Sequence, residues 1–210
     1  MRGYGQYCPI ALAAEVYAER WTPIIIRNLD LGCERYTEIL EGAPGLPRSV
    51  LSQRLRLLER AGVVRRERAG RATSYRLTDS GRELAQVGDV LGGWGARWRT
   101  ADPERQDPYL ALWTMARMID PDGLPRARIV VEFRITDRRP PNHYWLVLAA
   151  TGNEVCAQSP GFTEDGVVTA DVATVVRWYA GQGTIAVAGP PWLERLVTQW
   201  GRLSPYARSR

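Results

Sequence analysis

The chain has 210 residues, of which 45% are hydrophobic and 24% are charged, the proportions of an ordinary folded protein. It contains no run near the roughly 18 apolar residues that a membrane-spanning helix needs, so we expect a cytoplasmic protein without membrane contact. The net charge of +5 is unevenly distributed, because residues 47–76 hold nine arginines and two acidic residues. This local excess of positive charge predicts a polyanionic partner for the segment.

The residues that most often carry chemistry are few. Three cysteines, Cys8, Cys33 and Cys156, are odd in number and far apart, which favours a reducing compartment over a disulfide framework. A single histidine, His143, and the lack of CxxC or HxxxH spacing argue against a metal site. No motif pairs a nucleophile with a base, so we expect neither an enzyme nor a cofactor.

Three helices are predicted in the first forty residues. Apolar residues at helical spacing place the first over about 9–19. Thr22, followed by proline, suits the cap of a second helix that ends at Gly32. A short third helix follows, with Thr37 as its cap and Gly42 as its end.

The helix predicted over 47–61 has two chemically different faces. Leu51, Leu55 and Leu58 are spaced to form one buried stripe. Because arginine can pair with guanine and glutamine with adenine in the major groove, the opposite face suits base reading. The alternative is that this face is merely solvated. The candidate base-reading residues are Arg48, Ser49, Ser52, Gln53 and Arg56.

An alternating segment interrupted at Ala69 and Gly70 predicts a β-hairpin with strands near 63–68 and 73–77, and a long helix is predicted over 79–98. Short helices followed by a hairpin are the elements of a winged helix-turn-helix, whose last core helix enters the major groove of DNA. We therefore expect double-stranded DNA as the partner. Phosphate contacts are expected from Arg35, Thr37, Arg65, Arg68 and Arg71.

The polar, proline-containing segment 100–108 is predicted to link residues 1–99 to a second domain, 109–210. The second domain mixes predicted helices and strands, so we expect an α+β domain with an antiparallel sheet and an α+β class for the chain. Helices are predicted over about 109–119, 171–182 and 190–203, and strands over 127–136, 143–151, 153–159, 166–170 and 184–189.

Several motifs within residues 7–98 resemble the HxlR family of bacterial winged-helix transcription regulators. They are CP at 8–9, WT at 21–22, RYTEI at 35–39, VLSQRLRLLERAGVVRR at 50–66 and YRLTDSGREL at 75–84. The resemblance implies a homodimer on a palindromic operator, with the first helix and the helix after the hairpin at the interface. Some members sense oxidants or electrophiles through a cysteine at the position of Cys8. The other interpretation of Cys8 is a small residue packed between subunits.

Residues 171–201 resemble the closing helix, strand and helix of the sterol-carrier-protein fold. That resemblance implies a domain that binds hydrophobic ligands, or one that only packs and dimerises. An apolar pocket would be lined by aromatic residues, for which the candidates are Trp113, Phe133, Trp145, Trp178 and Trp192. Two functions stay open: a DNA-binding regulator, modulated by a hydrophobic small molecule or through Cys8, and a hydrophobic-ligand carrier or sensor whose first domain mainly dimerises.

Overall fold

Residues 3–70, 72–99 and 106–204 are described by a computed structural model. The chain divides into two units, residues 1–91 and 92–210, and each has a hydrophobic core of its own. Every helix among the described residues is too short or too polar to span a lipid bilayer.

The first unit has the predicted order of elements. Helices α2, α3 and α4 with the hairpin β1–β2 form a winged helix-turn-helix, which confirms the prediction. Helix α1 is two residues shorter than predicted. The bounds are α1 Pro9–Tyr17, α2 Thr22–Asp30, α3 Tyr36–Glu41, α4 Arg48–Arg60, β1 Val64–Ala69, β2 Ala72–Leu77 and α5 Asp79–Trp98.

The leucine stripe of α4 forms the centre of this core. Leu51, Leu55 and Leu58 are each at most 2% exposed, and they lie with Ile25 and Ile39 among the most deeply buried side chains of the unit. Burial of this stripe therefore fixes which face of α4 points outward.

The start of α2 differs from the prediction. Thr22 does not cap the helix, because it is the first helical residue and its side chain is buried. The preceding residue, Trp21, has the left-handed φ of 77°. That conformation produces a sharp turn of the chain between α1 and α2.

The start of α3 also differs. Thr37 is not the cap, because the helix begins one residue earlier at Tyr36. Instead the Glu38 carboxylate accepts hydrogen bonds from the backbone N–H groups of Glu34 and Arg35 at 3.0 and 2.9 Å. A carboxylate in the first turn thus satisfies backbone donors that the helix itself cannot.

The hairpin is fastened to the helices on both sides. The Tyr75 N–H donates to the Glu34 carbonyl at 2.8 Å, just before α3. At the base of the hairpin the Thr78 N–H donates to the Val63 carbonyl at 3.1 Å. Gly81 lies so close to that carbonyl that a Cβ there would be 2.1 Å from its oxygen. The start of α5 therefore requires a glycine against the hairpin base.

In its described residues, the second unit contains three α-helices after α5, a short 3-10 helix over Pro121–Gly123 and one sheet. Helix α6 begins at Pro108, and the Asp107 carboxylate accepts from the Tyr109 N–H at 2.9 Å, so the last residue of the predicted linker belongs to this helix. Linker residues 100–105 lie outside the described residues. The bounds are α6 Pro108–Met118, β3 Arg128–Ile135, β4 His143–Ala149, β5 Glu154–Cys156, β6 Gly166–Ala170, α7 Val172–Tyr179 and α8 Pro191–Gly201.

The sheet is mixed, so the prediction of an antiparallel sheet is wrong. Its order is β5-β4-β3-β6: β4 is antiparallel to β3 and β5, whereas β6 is parallel to β3. The cause is the connection 157–165, which leads from β5 at one edge of the sheet to β6 at the other. A predicted strand over 184–189 is also wrong. All six residues of that segment are described, and Ala188 makes an isolated bridge to Val167 there.

One face of the sheet packs on the helices to form the second core, in which Phe133 and Trp178 lie with ring centroids 5.9 Å apart. The opposite face carries a charged cluster. Glu132, only 5% exposed, accepts one hydrogen bond from Arg134 at 2.7 Å and pairs with His143 Nδ1 at 2.8 Å. The Arg134 hydrogen bond, with a smaller contribution from His143, holds the pKa of Glu132 below its ordinary value although burial opposes it.

Candidate nucleic-acid interface

Helix α4 presents a stripe of exposed polar side chains directly opposite its buried leucines. Ser49, Gln53, Arg56 and Arg60, here called the outward stripe, follow the i, i+4, i+7, i+11 spacing of one helix face, and all are exposed. Arg48 is exposed beside it in the first turn. The predicted base-reading residues thus lie together on one side of the helix.

Arg60 belongs to this stripe although the sequence prediction did not include it. Arg60 follows Arg56 by four residues, and this spacing places both side chains on the same face of a helix. Base-reading residues cluster in the first turns of the recognition helix in helix-turn-helix proteins, so the sequence prediction covers only those turns. Arg60 lies in the last turn of α4, one turn beyond Arg56.

Arg54 lies outside the stripe, because its position on α4 places it beside the leucine face, where it forms an ion pair. Its guanidinium contacts the Glu19 carboxylate at 2.8 Å, and its side chain is only 13% exposed. This arginine joins α4 to the segment between α1 and α2. Part of the positive charge of residues 47–76 therefore serves to hold the unit together.

Ser52 lies beside the stripe but is half-buried, because the side chain of Tyr36 lies against it. The Tyr36 hydroxyl donates to the Arg48 carbonyl at 2.6 Å and lies 3.1 Å from Ser52 Oγ. Tyr36 thereby connects α3 to the first turns of α4. The sequence analysis did not identify it, since no spacing pattern reveals a contact between two helices.

The arginines on the two faces of the hairpin have different surroundings. Arg65 and Arg76 lie on one face, where Arg65 contacts Glu67 at 3.0 Å and Arg76 contacts Glu34 at 2.8 Å and Glu67 at 3.7 Å. Arg65, a predicted phosphate ligand, is therefore already paired with an acid. Because side chains alternate along a strand, the other face of β1 carries different arginines.

That other face carries Arg66 and Arg68, both exposed. Arg66 lies over the ring of Tyr75, its cross-strand partner, at 6.0 Å. The sequence prediction included Arg68 but not Arg66, which the strand alternation would have placed on the same face. Arg71 lies outside the described residues.

The two remaining predicted phosphate ligands lie at the start of α3. Arg35 precedes the helix and Thr37 lies in its first turn, and both are exposed. A cavity of about 280 Å³ separates Arg35 from Thr73 and Ser74 of the hairpin. The start of α3 and the tip of the hairpin are thus near neighbours on one side of the unit.

The three cysteines occupy different environments. Cys8 is exposed immediately before α1, and Cys33 is buried. Cys156 is half-buried, and burial, with Glu154 as the smaller cause, raises the pKa of its thiol. Of the three, Cys8 is the one that solvent reaches freely.

The five aromatic residues proposed to line a ligand pocket lie in different environments. Phe133 and Trp178 pack against each other in the core, and the Trp178 indole N–H donates to the Val197 carbonyl at 3.0 Å. Trp113, only 3% exposed, contacts Arg117 at 4.4 Å. The half-buried Trp192 and Trp145 contact Arg126 at 4.5 Å and Glu164 at 3.0 Å.

Comparison with known proteins places the first unit in a family. Residues 16–103 match the model of the HxlR-like helix-turn-helix family. The chain is 34% identical over 97 residues to YvaP of Bacillus subtilis (strain 168), which is named an uncharacterized HTH-type transcriptional regulator. The alignment covers 44% of this chain and 90% of YvaP.

Two further similarities concern a mycobacterial protein and a solved structure. Rv3095 of Mycobacterium tuberculosis, also named an uncharacterized HTH-type transcriptional regulator, is 36% identical over 106 residues, which are 49% of this chain and 65% of Rv3095. The redox regulator HypR in its oxidized form is 28% identical, with coverage of 45% of this chain and 100% of HypR and a TM-score of 0.43.

Proposed function

Because this chain belongs to the HxlR-like helix-turn-helix family of transcriptional regulators, we propose that it binds a palindromic operator as a homodimer through α4 and the hairpin. The observation that carries the proposal is the outward stripe. Its arginine and glutamine side chains are exposed, and the leucine stripe fixes their direction.

In the proposed complex α4 lies in the major groove, which is wide enough for one helix. Gln53 suits adenine, and Arg56 suits guanine. Phosphates are contacted by exposed side chains around the groove, which set the register without reading sequence. These are Arg35, Thr37, Arg48, Arg66 and Arg68, with Arg71 as a further candidate; Arg65 can join them only by leaving Glu67.

The homodimer is supported by exposed apolar side chains on α1 and α5. Ile10 of α1 is 79% exposed and Val90 of α5 is 74% exposed. Clusters of exposed apolar residues commonly mark protein interfaces. The exposed apolar residues on the two helices are Ile10, Leu12, Val87, Val90, Leu91, Trp94 and Trp98.

Regulation by a hydrophobic small molecule is the second part of the proposal, with the sterol-carrier-like second unit as receiver. Phe133 and Trp178 are each at most 1% exposed, so a ligand that contacts either ring must first displace core packing. The ligand can bind more tightly to one relative orientation of the two DNA-binding units of the dimer than to another. Operator affinity then changes by the difference between these two binding free energies, typically about 1–3 kcal/mol. Helix α5 contributes residues to both units and is the proposed route of coupling.

Thiol-based regulation through Cys8 is the alternative to a small-molecule effector, and the exposure of Cys8 favours it. Replacing Cys8 with serine distinguishes the two. If diamide abolishes operator binding of the wild type but not of Cys8→Ser, the thiol is the sensor. A hydrophobic-ligand carrier without DNA binding is the competing class, and it leaves the outward stripe without a role.

Selection of genomic fragments by the purified protein, followed by sequencing, tests the main proposal. We expect a palindrome to be enriched, and we expect its affinity to fall with salt by about 0.9 in log K per log salt for each phosphate neutralised. The double variant Gln53→Ala/Arg56→Ala is the matched control and should lose the enrichment. Enrichment of no sequence, with lipid uptake insensitive to salt, would favour the carrier.

A further inference from the structure

The hydroxyl of Tyr36 touches two oxygen atoms of α4 at once. It lies 2.6 Å from the Arg48 carbonyl oxygen and 3.1 Å from Ser52 Oγ. Two oxygen atoms approach to 2.6 Å only with a proton between them. A carbonyl has no proton to give, so the single proton of the Tyr36 phenol lies on the Arg48 contact.

The direction of the second hydrogen bond follows from the first. With its only proton engaged, the Tyr36 oxygen can take part in the Ser52 contact only as an acceptor. Ser52 must therefore donate its hydroxyl proton to Tyr36. A serine hydroxyl has one proton and two lone pairs, so Ser52 keeps acceptor capacity alone for anything else.

Ser52 is placed to use that capacity in the proposed complex. It follows Ser49 by three residues and precedes Arg56 by four, so it lies on the side of α4 that carries the outward stripe. It is half-buried, with the Tyr36 hydroxyl 3.1 Å from its Oγ, and so keeps part of its surface accessible. An unconstrained serine is ambivalent in the major groove, since it can donate to one base or accept from another.

We propose that Tyr36 turns Ser52 into an acceptor-only contact that selects adenine or cytosine over guanine or thymine at one position of each half-site. Adenine presents its N6 amino group in the major groove and cytosine its N4 amino group, whereas guanine and thymine present acceptors there. Phosphate oxygens are acceptors too and are therefore excluded as partners of Ser52. This inference rests on the proposed function, because it requires α4 to lie in the major groove.

The test is saturation of every operator position, with affinities measured for the wild type, Ser52→Ala and Tyr36→Phe. Ser52→Ala identifies the position, which should be the one whose base preference disappears. There the wild type should prefer adenine or cytosine by about five- to tenfold, the smaller end of the range for a base contact. In Tyr36→Phe the freed serine proton can donate, so the guanine and thymine sites should gain affinity and the preference should fall below about twofold.

A second measurement avoids altering Tyr36, whose loss could disturb the packing of α3 on α4. At the same position, purine replaces adenine, or pyrimidin-2-one replaces cytosine, so that the amino group alone is removed. The affinity of the wild type should fall about five- to tenfold, as much as its preference for adenine or cytosine, because the same hydrogen bond is lost. The affinity of Ser52→Ala should not change.

Three results would overturn the inference. The first is that Ser52→Ala removes the base preference at no operator position. The second is that it removes the preference at a position where the wild type favours guanine or thymine. The third is that removal of the amino group leaves the affinity of the wild type unchanged. Each of these still requires sequence-specific binding by the wild type. Failure of the proposed function is distinguishable, because then the wild type itself would show no preference at any position.

Discussion

Arg54 and Arg56 are two residues apart on α4 and have different environments. Arg54 is paired with Glu19 and largely buried, whereas Arg56 is exposed in the middle of the outward stripe. The sequence pattern correctly predicted the direction of Arg56, because the leucine spacing fixes the opposite face. It could not predict the partner of Arg54, since that contact joins residues 35 positions apart.

Replacing Arg56 with alanine should reduce operator affinity without unfolding the protein. The loss of one good base contact is worth about 1–3 kcal/mol of discrimination, while an exposed side chain changes stability by less than about 0.5 kcal/mol. Fluorescence anisotropy and urea unfolding measure the two quantities. A large loss of stability with unchanged operator affinity would mean that the two faces of α4 are assigned the wrong way round.

Leu55→Ala is the core counterpart on the same helix. Leu55 is 2% exposed within the leucine stripe, so truncation should lower the free energy of unfolding by roughly 2–5 kcal/mol. Urea unfolding followed by circular dichroism measures it. A change below about 0.5 kcal/mol, the level of a surface substitution, would contradict the burial of this face.

The charged cluster around Glu132 gives a prediction for pH. Because the pKa of Glu132 is lowered by the Arg134 hydrogen bond, the carboxylate stabilises the fold above its ordinary pKa of 4.5, and that contribution is lost as the pH falls through the lower folded value. Glu132→Gln should be about 1–3 kcal/mol less stable than the wild type at pH 7. The difference should shrink as the pH falls below 4.5. Urea unfolding at pH 7 and pH 3.5, followed by tryptophan fluorescence, measures it, and a difference that does not change with pH would contradict this account.

At the scale of elements, the sequence predicted the first unit well because its signals are local. Hydrophobic spacing, Gly32 and the break at Gly70 mark α2, α4 and the hairpin within a few residues. The starts of α2 and α3 were misassigned, because a left-handed Trp21 and a carboxylate from Glu38 replace the expected threonine caps.

The sheet of the second unit shows what local patterns miss. Strand direction depends on how the chain connects β5 to β6, and the connection 157–165 has no spacing that reveals its path. Its course is fixed instead by contacts between distant residues, such as the Asp165 N–H donating to the Val130 carbonyl at 2.8 Å. Predicting the parallel pairing of β3 and β6 therefore requires tertiary information.

The start of α5 provides a prediction with a matched control on the same helix. Gly81→Ala places a Cβ 2.1 Å from the Val63 carbonyl oxygen, so the helix must shift, at a cost of roughly 1–3 kcal/mol. Gly95→Ala meets no atom within 4 Å and should stabilise the helix by about 0.5–1 kcal/mol. Thermal melting of both variants measures these changes, and equal effects would contradict the close approach at the hairpin base.

At the scale of the whole molecule, the distribution of charge agrees with a division of labour between the units. The excess of arginine falls on α4 and the hairpin, and the second half of the chain holds equal numbers of arginines and acidic residues. The family resemblance read from the sequence motifs is confirmed for the first unit. The role of the second unit stays a prediction, since its candidate ligand residues make separate packing contacts.

The central claim is that two copies of α4 occupy two major grooves on one side of a duplex. Hydroxyl-radical footprinting of the selected palindrome by the full-length protein tests it most directly. We predict two symmetric protected half-sites with centres about 10 base pairs, or a multiple of this spacing, apart, and loss of that protection in Gln53→Ala/Arg56→Ala. Protection without two-fold symmetry, or a footprint that the double variant leaves unchanged, would contradict the account.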